Sequence, residues 1–431
     1  MGAKFTGLST FDPFPDGNAS QVDTKARFGS ELLPANLVPI WASIFGSSCY
    51  GFANSTAPLL IHSGWVLVKG KYKWLSWEIL RIRQSLLRIT LIKVVNGFIQ
   101  EENEKMPIFN RSSSGIVSTG TAFYTYGNML RDLNSLRNKY PAFFRISELG
   151  QTADQRSIID VILGNPEADT QIIIQSTIHG REYLNTLLVM KQLEDILSQY
   201  DSAAYKGIPY AKLLDQTCFH ILPMTNPDGV TICQRGVHGI QSKNLRKGLK
   251  RCYHNDLIQG HTAANENTYW LQFKANAHGV DLNRNFAVGW ETFQGSDYPS
   301  FERYKGTAPA SEIETQALLS IAERNNVICA VSYHSAGNLI YWDYGSKGSV
   351  YESNRELAEM AAGITGYLTE STLQNETDAA GCSDYFVLKK GIAAITIENG
   401  SGTCPLSIDE FEAIWNANRQ LWPALAAFHI K

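Results

Sequence analysis

The chain has 431 residues, 44% hydrophobic and 18% charged, enough apolar material for one large domain or two ordinary ones. Its net charge of -3 excludes a general attraction to nucleic acid. Seven cysteines (Cys49, Cys218, Cys233, Cys252, Cys329, Cys382 and Cys404) have no Cys-x-x-Cys spacing, which excludes a structural zinc finger and a dense disulfide framework.

Residues 1–118 differ in character from the remainder of the chain. The first forty are turn-rich, with Pro13, Pro15, Gly17, Asn18 and Pro34, and read as a flexible lead-in. No basic, apolar and small-residue succession marks a signal peptide, and residues 37–49 are interrupted by Pro39 and three serines. Met1-Gly2 with Thr6 matches a myristoylation pattern in form, but so short a match arises easily by chance. Residues 80–99 contain Arg81, Arg83, Arg88 and Lys93, so they are no transmembrane segment, and the chain reads as soluble. Residues 69–93 hold seven basic residues against Glu78, with Trp74 and Trp77 among them. That pattern suits a solvated amphipathic helix or a segment lying on an anionic surface. Ser112-Ser113-Ser114-Gly115 reads as a linker into a second region, residues 119–431.

From about Thr121 the pattern is regular. Residues 126–140 are predicted helical, and residues 157–163 and 172–177 are predicted strands. Residues 183–200 carry Val189, Met190, Leu193, Ile196 and Leu197 on one helical face and Leu184, Leu187 and Leu188 on the other, so the first half of that helix should be buried all round. Further strands are predicted at 218–223, 327–333, 339–342 and 393–398. Cys218 and Cys329 sit in these apolar runs as buried thiols, while Cys233 with Cys252, or Cys382 with Cys404, could be bridged if the protein is exported. Three helix starts are signalled by a hydroxyl followed three residues on by glutamate: Ser311 with Glu314, Ser353 with Glu356, and Ser407 with Glu410. Strands and helices alternating at these lengths imply a sheet covered by helices on both faces, with reactive residues at strand ends.

Residues 172–182 read Ile-Ile-Ile-Gln-Ser-Thr-Ile-His-Gly-Arg-Glu. The apolar run stops at His179, and Glu182 comes where a helical pattern begins. Both can reach one zinc ion from a turn, although glutamate also occurs in first turns for dipole reasons alone. His334 ends another strand and opens Ser335-Ala336-Gly337. Two strand-end histidines with Glu182 make the two-histidine, one-carboxylate set that holds catalytic zinc with coordination to spare. Such an ion lowers the pKa of water and polarises a carbonyl. Glu398 closes the apolar strand before Asn399-Gly400, either as a buried ion-pair member or as a general base in a partly dry site. Asp281, Asn283 and Arg284 fall within Gly-Val-Asp-Leu-Asn-Arg-Asn-Phe. This is either a solvated loop or a group that orients a metal-bound histidine and clamps a substrate carboxylate.

In order, His-x-x-Glu, Asn-Pro-Asp-Gly, Asp-x-Asn-Arg-Asn, His-Ser and a terminal glutamate resemble the zinc carboxypeptidases of the carboxypeptidase A type over residues 121–431. The resemblance implies a three-layer α/β/α sandwich with a mixed, mostly parallel twisted sheet, preceded by an irregular N-terminal region. It also implies one zinc ion held by His179, Glu182 and His334, with Glu398 as the base that activates its water. Arg246, in Asn244-Leu245-Arg246-Lys247, would stabilise the oxyanion, its alignment loosened by the long insert between Asn226 and Asp281. Asn283 and Arg284 would hold the substrate carboxylate, Arg181 would contact the chain on the other side, and Asp281 would hydrogen-bond His179. The Asn226-Pro227-Asp228-Gly229 turn would be structural.

Within that family, Asn-Pro-Asp-Gly-Val, Ser-Tyr-His-Ser-Ala-Gly, Thr-Ile-Glu-Asn-Gly and Cys-Pro-Leu-Ser-Ile-Asp-Glu-Phe-Glu-Ala-Ile-Trp are similar to bacterial peptidases that cut the γ-D-glutamyl to meso-diaminopimelate bond. This implies a metallopeptidase acting on cell-wall peptides, cytoplasmic or secreted. The chain departs from the digestive enzymes in two places. Residues 374–378 lack their mobile tyrosine, for which Tyr367 or Tyr385 could substitute, and Ala336 stands where they carry tyrosine. Ser383 maps to the base of the specificity pocket, where a small polar residue disfavours an aromatic side chain and lacks the charge to select lysine or arginine. Asp384 either meets a diaminopimelate amine or is structural. The rival readings are a metallocarboxypeptidase for α-linked C-termini, a related acyl-amino-acid amidohydrolase, and an inactive wall-binding or scaffolding protein.

Overall fold

The computed structural model describes residues 115–430 apart from Asn325 and residues 372–379, together with the backbone of four short strands nearer the N-terminus. The chain divides into two compact units, residues 1–109 and 110–431. In the first, β1 (Tyr50–Phe52), β2 (Leu59–His62), β3 (Trp65–Val68) and β4 (Lys71–Trp74) form an antiparallel sheet in sequence order. These strands are the described part of the region expected to be irregular. Ser63-Gly64 and Lys69-Gly70 separate apolar runs by two residues ending in glycine, a hairpin signature. Lys71–Trp74 is strand, not helix, within the basic stretch. The turn-rich lead-in, the first-residue motif, residues 37–49, the rest of the basic stretch and the serine linker lie outside the described residues.

The second unit opens with α1 (Tyr126–Lys139), the edge strand β5 (Phe144–Gln151), then β6 (Ser157–Gly164), β7 (Thr170–Ser176) and α2 (Leu184–Ser198). A small hairpin, β8 (Ala204–Tyr205) and β9 (Ile208–Pro209), leads to α3 (Tyr210–Asp215), β10 (Thr217–Leu222), and the helices α4 (Pro227–Arg235), α5 (Lys243–Ile258) and α6 (Glu266–Leu271). Then come α7 (Ile313–Arg324), β11 (Val327–His334), β12 (Leu339–Tyr341), α8 (Ser349–Thr365), β13 (Leu368–Glu370), α9 (Cys382–Tyr385), β14 (Ala393–Glu398), α10 (Phe411–Asn418) and α11 (Leu421–His429).

The main sheet has the order β13-β12-β14-β11-β7-β10-β6-β5. Its centre, β14, β11, β7 and β10, is parallel, while β10 with β6, β6 with β5 and β12 with β14 pair antiparallel. Every residue of β7 and β10 is buried, as strands covered on both faces require. Side-chain alternation sorts the two faces. Ile172, Ile174, Val331, Ile395 and Ile397 join α1, α2, α8, α10 and α11 in one core, whereas Ile173, Ala330 and Ala394 join α7, α9 and the 282–288 loop in another. The insert builds a third, smaller core from α4, α5 and α6 with Phe273 and Phe301. The first half of α2 is buried throughout, as its two apolar faces predict.

The helix-start signals fare unevenly. Ser353 lies inside α8, and Ser407 does cap its turn, but Glu410 accepts from Ser401 and Gly402 N–H groups instead of closing back. Glu314 turns into the interior toward Asn276. The six described cysteines are unpaired, so neither possible bridge forms.

Candidate active site

β7 runs out at Ser176, and the chain passes through Thr177 at positive φ to a short 3-10 turn, Gly180–Glu182, that feeds α2. The turn has a fixed backing. Asn226 caps Gly229 N (2.8 Å) and donates to Ile178 O (3.1 Å) and Ala275 O (3.2 Å), while Asp228 is held by Arg156 (2.6 Å) and Thr152 (2.9 Å). A Cβ on Gly180 would collide with the Gly229 backbone, so the Asn-Pro-Asp-Gly segment is the wall against which the turn is set.

Adjacent strand ends bring the other groups in: Tyr333 pairs with Ser176 and His334 with Glu398. His179 Nδ1 lies 2.8 Å from Glu182 Oε1, and His334 Nδ1 lies 3.0 Å from Glu182 Oε2. The three ligand atoms are within 4.8 Å of one another and all three side chains are buried. Two imidazole nitrogens and a carboxylate so gathered fit the donor set of one zinc ion. Burial favours neutral Glu182, yet His179 and His334 hold it below the ordinary carboxylate range. Burial likewise opposes charge on His179, but Glu182 and Asp281 outweigh it and raise its pKa. His179 Nε2 stands 3.3 Å from Asp281 Oδ1, out of line for a hydrogen bond, while Asp281 accepts from Asn283 N (3.2 Å) and Arg303 N (2.9 Å).

The Glu398 carboxyl forms no hydrogen bond or ion pair with a described residue, which disfavours the structural ion-pair alternative. Desolvation pushes its carboxyl up to about 7, with Glu182 adding to the rise and His334, Lys274 and Arg181 opposing it. Lys274 and Arg181 thus lie close enough to act on the Glu398 carboxyl. Arg246 is half-buried on α5 and makes no hydrogen bond or ion pair with any site residue. Lys274 carries its charge next to the turn, its carbonyl accepting from Gly180 N (2.9 Å) and its Nζ 3.1 Å from Glu302. Arg181 Nε is buried without a hydrogen-bond partner among the described residues.

On the far side of the site, Asn283 Oδ1 accepts from Cys382 N (2.9 Å), which leaves its Nδ2 as a donor. Arg284 Nη1 donates to Asn283 O (2.7 Å), its guanidinium lies 5.3 Å from the Phe293 ring centre, and its Nε is buried without a hydrogen-bond partner among the described residues. Ser383 Oγ lies 2.9 Å from Thr396 Oγ1 and donates to Ser332 Oγ (3.3 Å), and Tyr344 Oη donates to Thr396 Oγ1 (2.8 Å). Four hydroxyls thus meet where the family resemblance puts the pocket floor.

Residues 129–420 match the family model "Zinc carboxypeptidase". The chain belongs to the zinc carboxypeptidase family. Among curated relatives, it is 28% identical over 299 residues to gamma-D-glutamyl-L-diamino acid endopeptidase 1 of Lysinibacillus sphaericus, covering 69% of this chain and 70% of that protein. It is 24% identical over 229 residues to mast cell carboxypeptidase A of Homo sapiens, covering 52% and 48% respectively. Among solved structures, thrombin activatable fibrinolysis inhibitor superposes with a TM-score of 0.56 at 17% identity (74% of this chain, 78% of that one). Carboxypeptidase A of Helicoverpa armigera gives 0.53 at 20% (83% and 84%). These two share the fold.

As a zinc carboxypeptidase, the chain uses one catalytic zinc, for which the His-Glu-His trio is the candidate site. What the sequence missed is Lys274, hidden in the insert. Its one signal is position, in Phe273-Lys274-Ala275-Asn276 just before the Asp281 motif. Of the two tyrosines that could replace the missing one, Tyr367 is occupied, its hydroxyl donating to Asn399 Oδ1 (3.2 Å), and Tyr385 packs on Phe286 with ring centres 6.0 Å apart. Residues 374–378 lie outside the described residues.

Proposed function

We propose that this zinc carboxypeptidase hydrolyses the γ-D-glutamyl to meso-diaminopimelate bond of peptidoglycan peptides. The observation that carries the substrate class is the hydroxyl cluster of Ser332, Ser383, Thr396 and Tyr344, of which Thr396 is half-buried and the others buried, with the Asp384 charge acting on Tyr344. A wall of hydroxyls beside an acid suits a side chain ending in an amine and a carboxylate better than an aromatic ring. The Lysinibacillus sphaericus relative, a gamma-D-glutamyl-L-diamino acid endopeptidase by name, supports the same reading.

In this mechanism His179, Glu182 and His334 hold the zinc. When bound, the ion supplies Lewis-acid polarisation of a carbonyl and lowers the pKa of water. Asn283 Nδ2 and the free edge of Arg284 grip the carboxylate of the leaving diamino acid, Arg by its fork. Lys274 and Arg181 offset the negative charge that develops on the scissile carbonyl oxygen, with Lys274 taking the part that sequence alignment gives Arg246. Glu398 accepts the proton of the attacking water and delivers it to the leaving amine. A carboxyl whose pKa stands near 7 is matched to both transfers, whereas one near 4 would be a weak base. Asp281, its carboxylate 3.3 Å from His179 Nε2, acts on that ring through its charge.

The test is mass spectrometry of products from L-Ala-γ-D-Glu-meso-diaminopimelate peptides and from α-linked peptides, with and without chelator and with Glu398→Gln as control. Chelator-sensitive cleavage of the γ-D-glutamyl bond alone is expected. Cleavage confined to α-linked ends would keep the mechanism and overturn the substrate, and cleavage of neither would overturn the peptidase reading.

A further inference from the structure

Helix α5, in the insert, has a face that the reaction does not use. At 100° per residue, positions 243, 247, 250, 251, 254, 257 and 258 fall within an arc of about 120°. All seven are exposed. Along the helix axis this face begins with Lys243, Lys247, Lys250 and Arg251, passes His254, and ends in Leu257 and Ile258, which are 37% and 65% exposed. No acid lies on it. The helix's one acidic residue, Asp256, is buried on the opposite side, where it accepts from the hydroxyls of Tyr269 (2.6 Å) and Ser300 (2.8 Å), and Leu249 and Cys252 fill that side beside it.

None of the four cations forms a hydrogen bond or ion pair among the described residues. A chain of net charge -3 has thus concentrated four positive charges and two bare aliphatic side chains on one helix about 22 Å long, without internal partners. Charge alone would suit any polyanion. The aliphatic pair decides between them, because Leu257 and Ile258 on the same arc would meet only water on a soluble polyanion, but would enter the acyl boundary of a bilayer whose headgroups hold the lysines. We infer that the outward face of α5 docks the enzyme on a lipid surface bearing acidic headgroups.

The test is co-sedimentation of the full chain with vesicles rich in phosphatidylglycerol and with vesicles of phosphatidylcholine alone, across a salt series. Binding to the acidic vesicles only, weakening as salt rises, is expected. Each surface cation is worth a factor of about five in partitioning, so the variant Lys243→Gln, Lys247→Gln, Lys250→Gln, Arg251→Gln should bind several-hundredfold more weakly. Leu257→Ser with Ile258→Ser should weaken binding about tenfold or more. Both variants should keep wild-type zinc content and wild-type cleavage of a soluble peptide. Undiminished binding of the four-cation variant would overturn the inference by placing the contact elsewhere, for example in the basic stretch 69–93. Retention by inorganic polyphosphate but not by acidic vesicles would overturn it in favour of a soluble polyanion.

Discussion

Glu314 offers the sharpest test of how the interior behind the site is built. It lies in the first turn of α7, 1% exposed, with Asn276 Nδ2 at 3.4 Å and the charges of Asp228 and Glu312 nearby. Burial, reinforced by those two acids and opposed by the helix-start N–H, pushes its carboxyl from 4.5 up to about 8. The folded protein therefore holds a proton that the unfolded chain releases above pH 4.5. Where the folded state binds more protons, stability falls as pH rises, so this contribution is full below about 4.5 and is lost progressively up to about 8. At pH 7 some 2.5 pH units have been crossed, about 3 kcal/mol at roughly 1.4 kcal/mol per unit. Glu314→Gln keeps the shape and cannot ionise. It should unfold several degrees higher than wild type at pH 7 to 8 and coincide with it near pH 4.5. Calorimetry of zinc-loaded protein across that range reads the difference. A variant less stable than wild type by the same amount at every pH would refute the reasoning, because Glu314 would then be ionised and paired in the fold.

Glu398→Gln should lower kcat by about a hundredfold or more while zinc stoichiometry by atomic absorption is unchanged; full activity would remove Glu398 as the base. Chelation should abolish cleavage and lower the unfolding temperature, since a ligand bound only by the folded state stabilises it, and both should return when zinc is restored. Lys274→Gln should cost about a hundredfold in kcat, and Arg246→Gln less than about threefold, measured on one γ-D-glutamyl peptide; the reverse ranking would return the oxyanion role to Arg246.

The zinc trio and Glu398 were legible because each ends or trails a continuous apolar run, and a buried parallel strand has few other places for a polar side chain. The same logic located β7, β10, β11 and β14 to within a residue or two. It missed β5, whose Phe-Arg-Ile-Ser-Glu-Leu-Gly-Gln sequence belongs to an edge strand with a register shift between Glu148 and Gly150 and mostly half-buried side chains. Hydroxyl-to-glutamate spacing misplaced a helix start at Ser353, because three-residue spacing is also what the solvated interior of a helix shows. Lys274 was invisible for a different reason. Its place depends on how the insert folds back, with Lys274 and Ala275 N–H both bonded to Phe301 O, and no local pattern encodes that return.

Beside the Glu182–His334 ion pair (3.0 Å), the three segments that supply the ligands and the base are joined by amides. Asn185, at the start of α2 after Glu182, donates to Ser335 Oγ (3.1 Å), next to His334. Asn399, next to Glu398, donates to Asn185 Oδ1 (2.9 Å) through its side chain and to His334 O (2.9 Å) through its backbone, and Asn418 of α10 donates to Asn399 Oδ1 (2.8 Å). All three asparagines are buried. An unpaired amide there would cost about 1–3 kcal/mol, so each bond enforces the position of the next. Amides do not titrate, and this is their advantage over ion pairs in the same place. The spacing of His179, Glu182, His334 and Glu398 can therefore hold while the proton on Glu398 comes and goes.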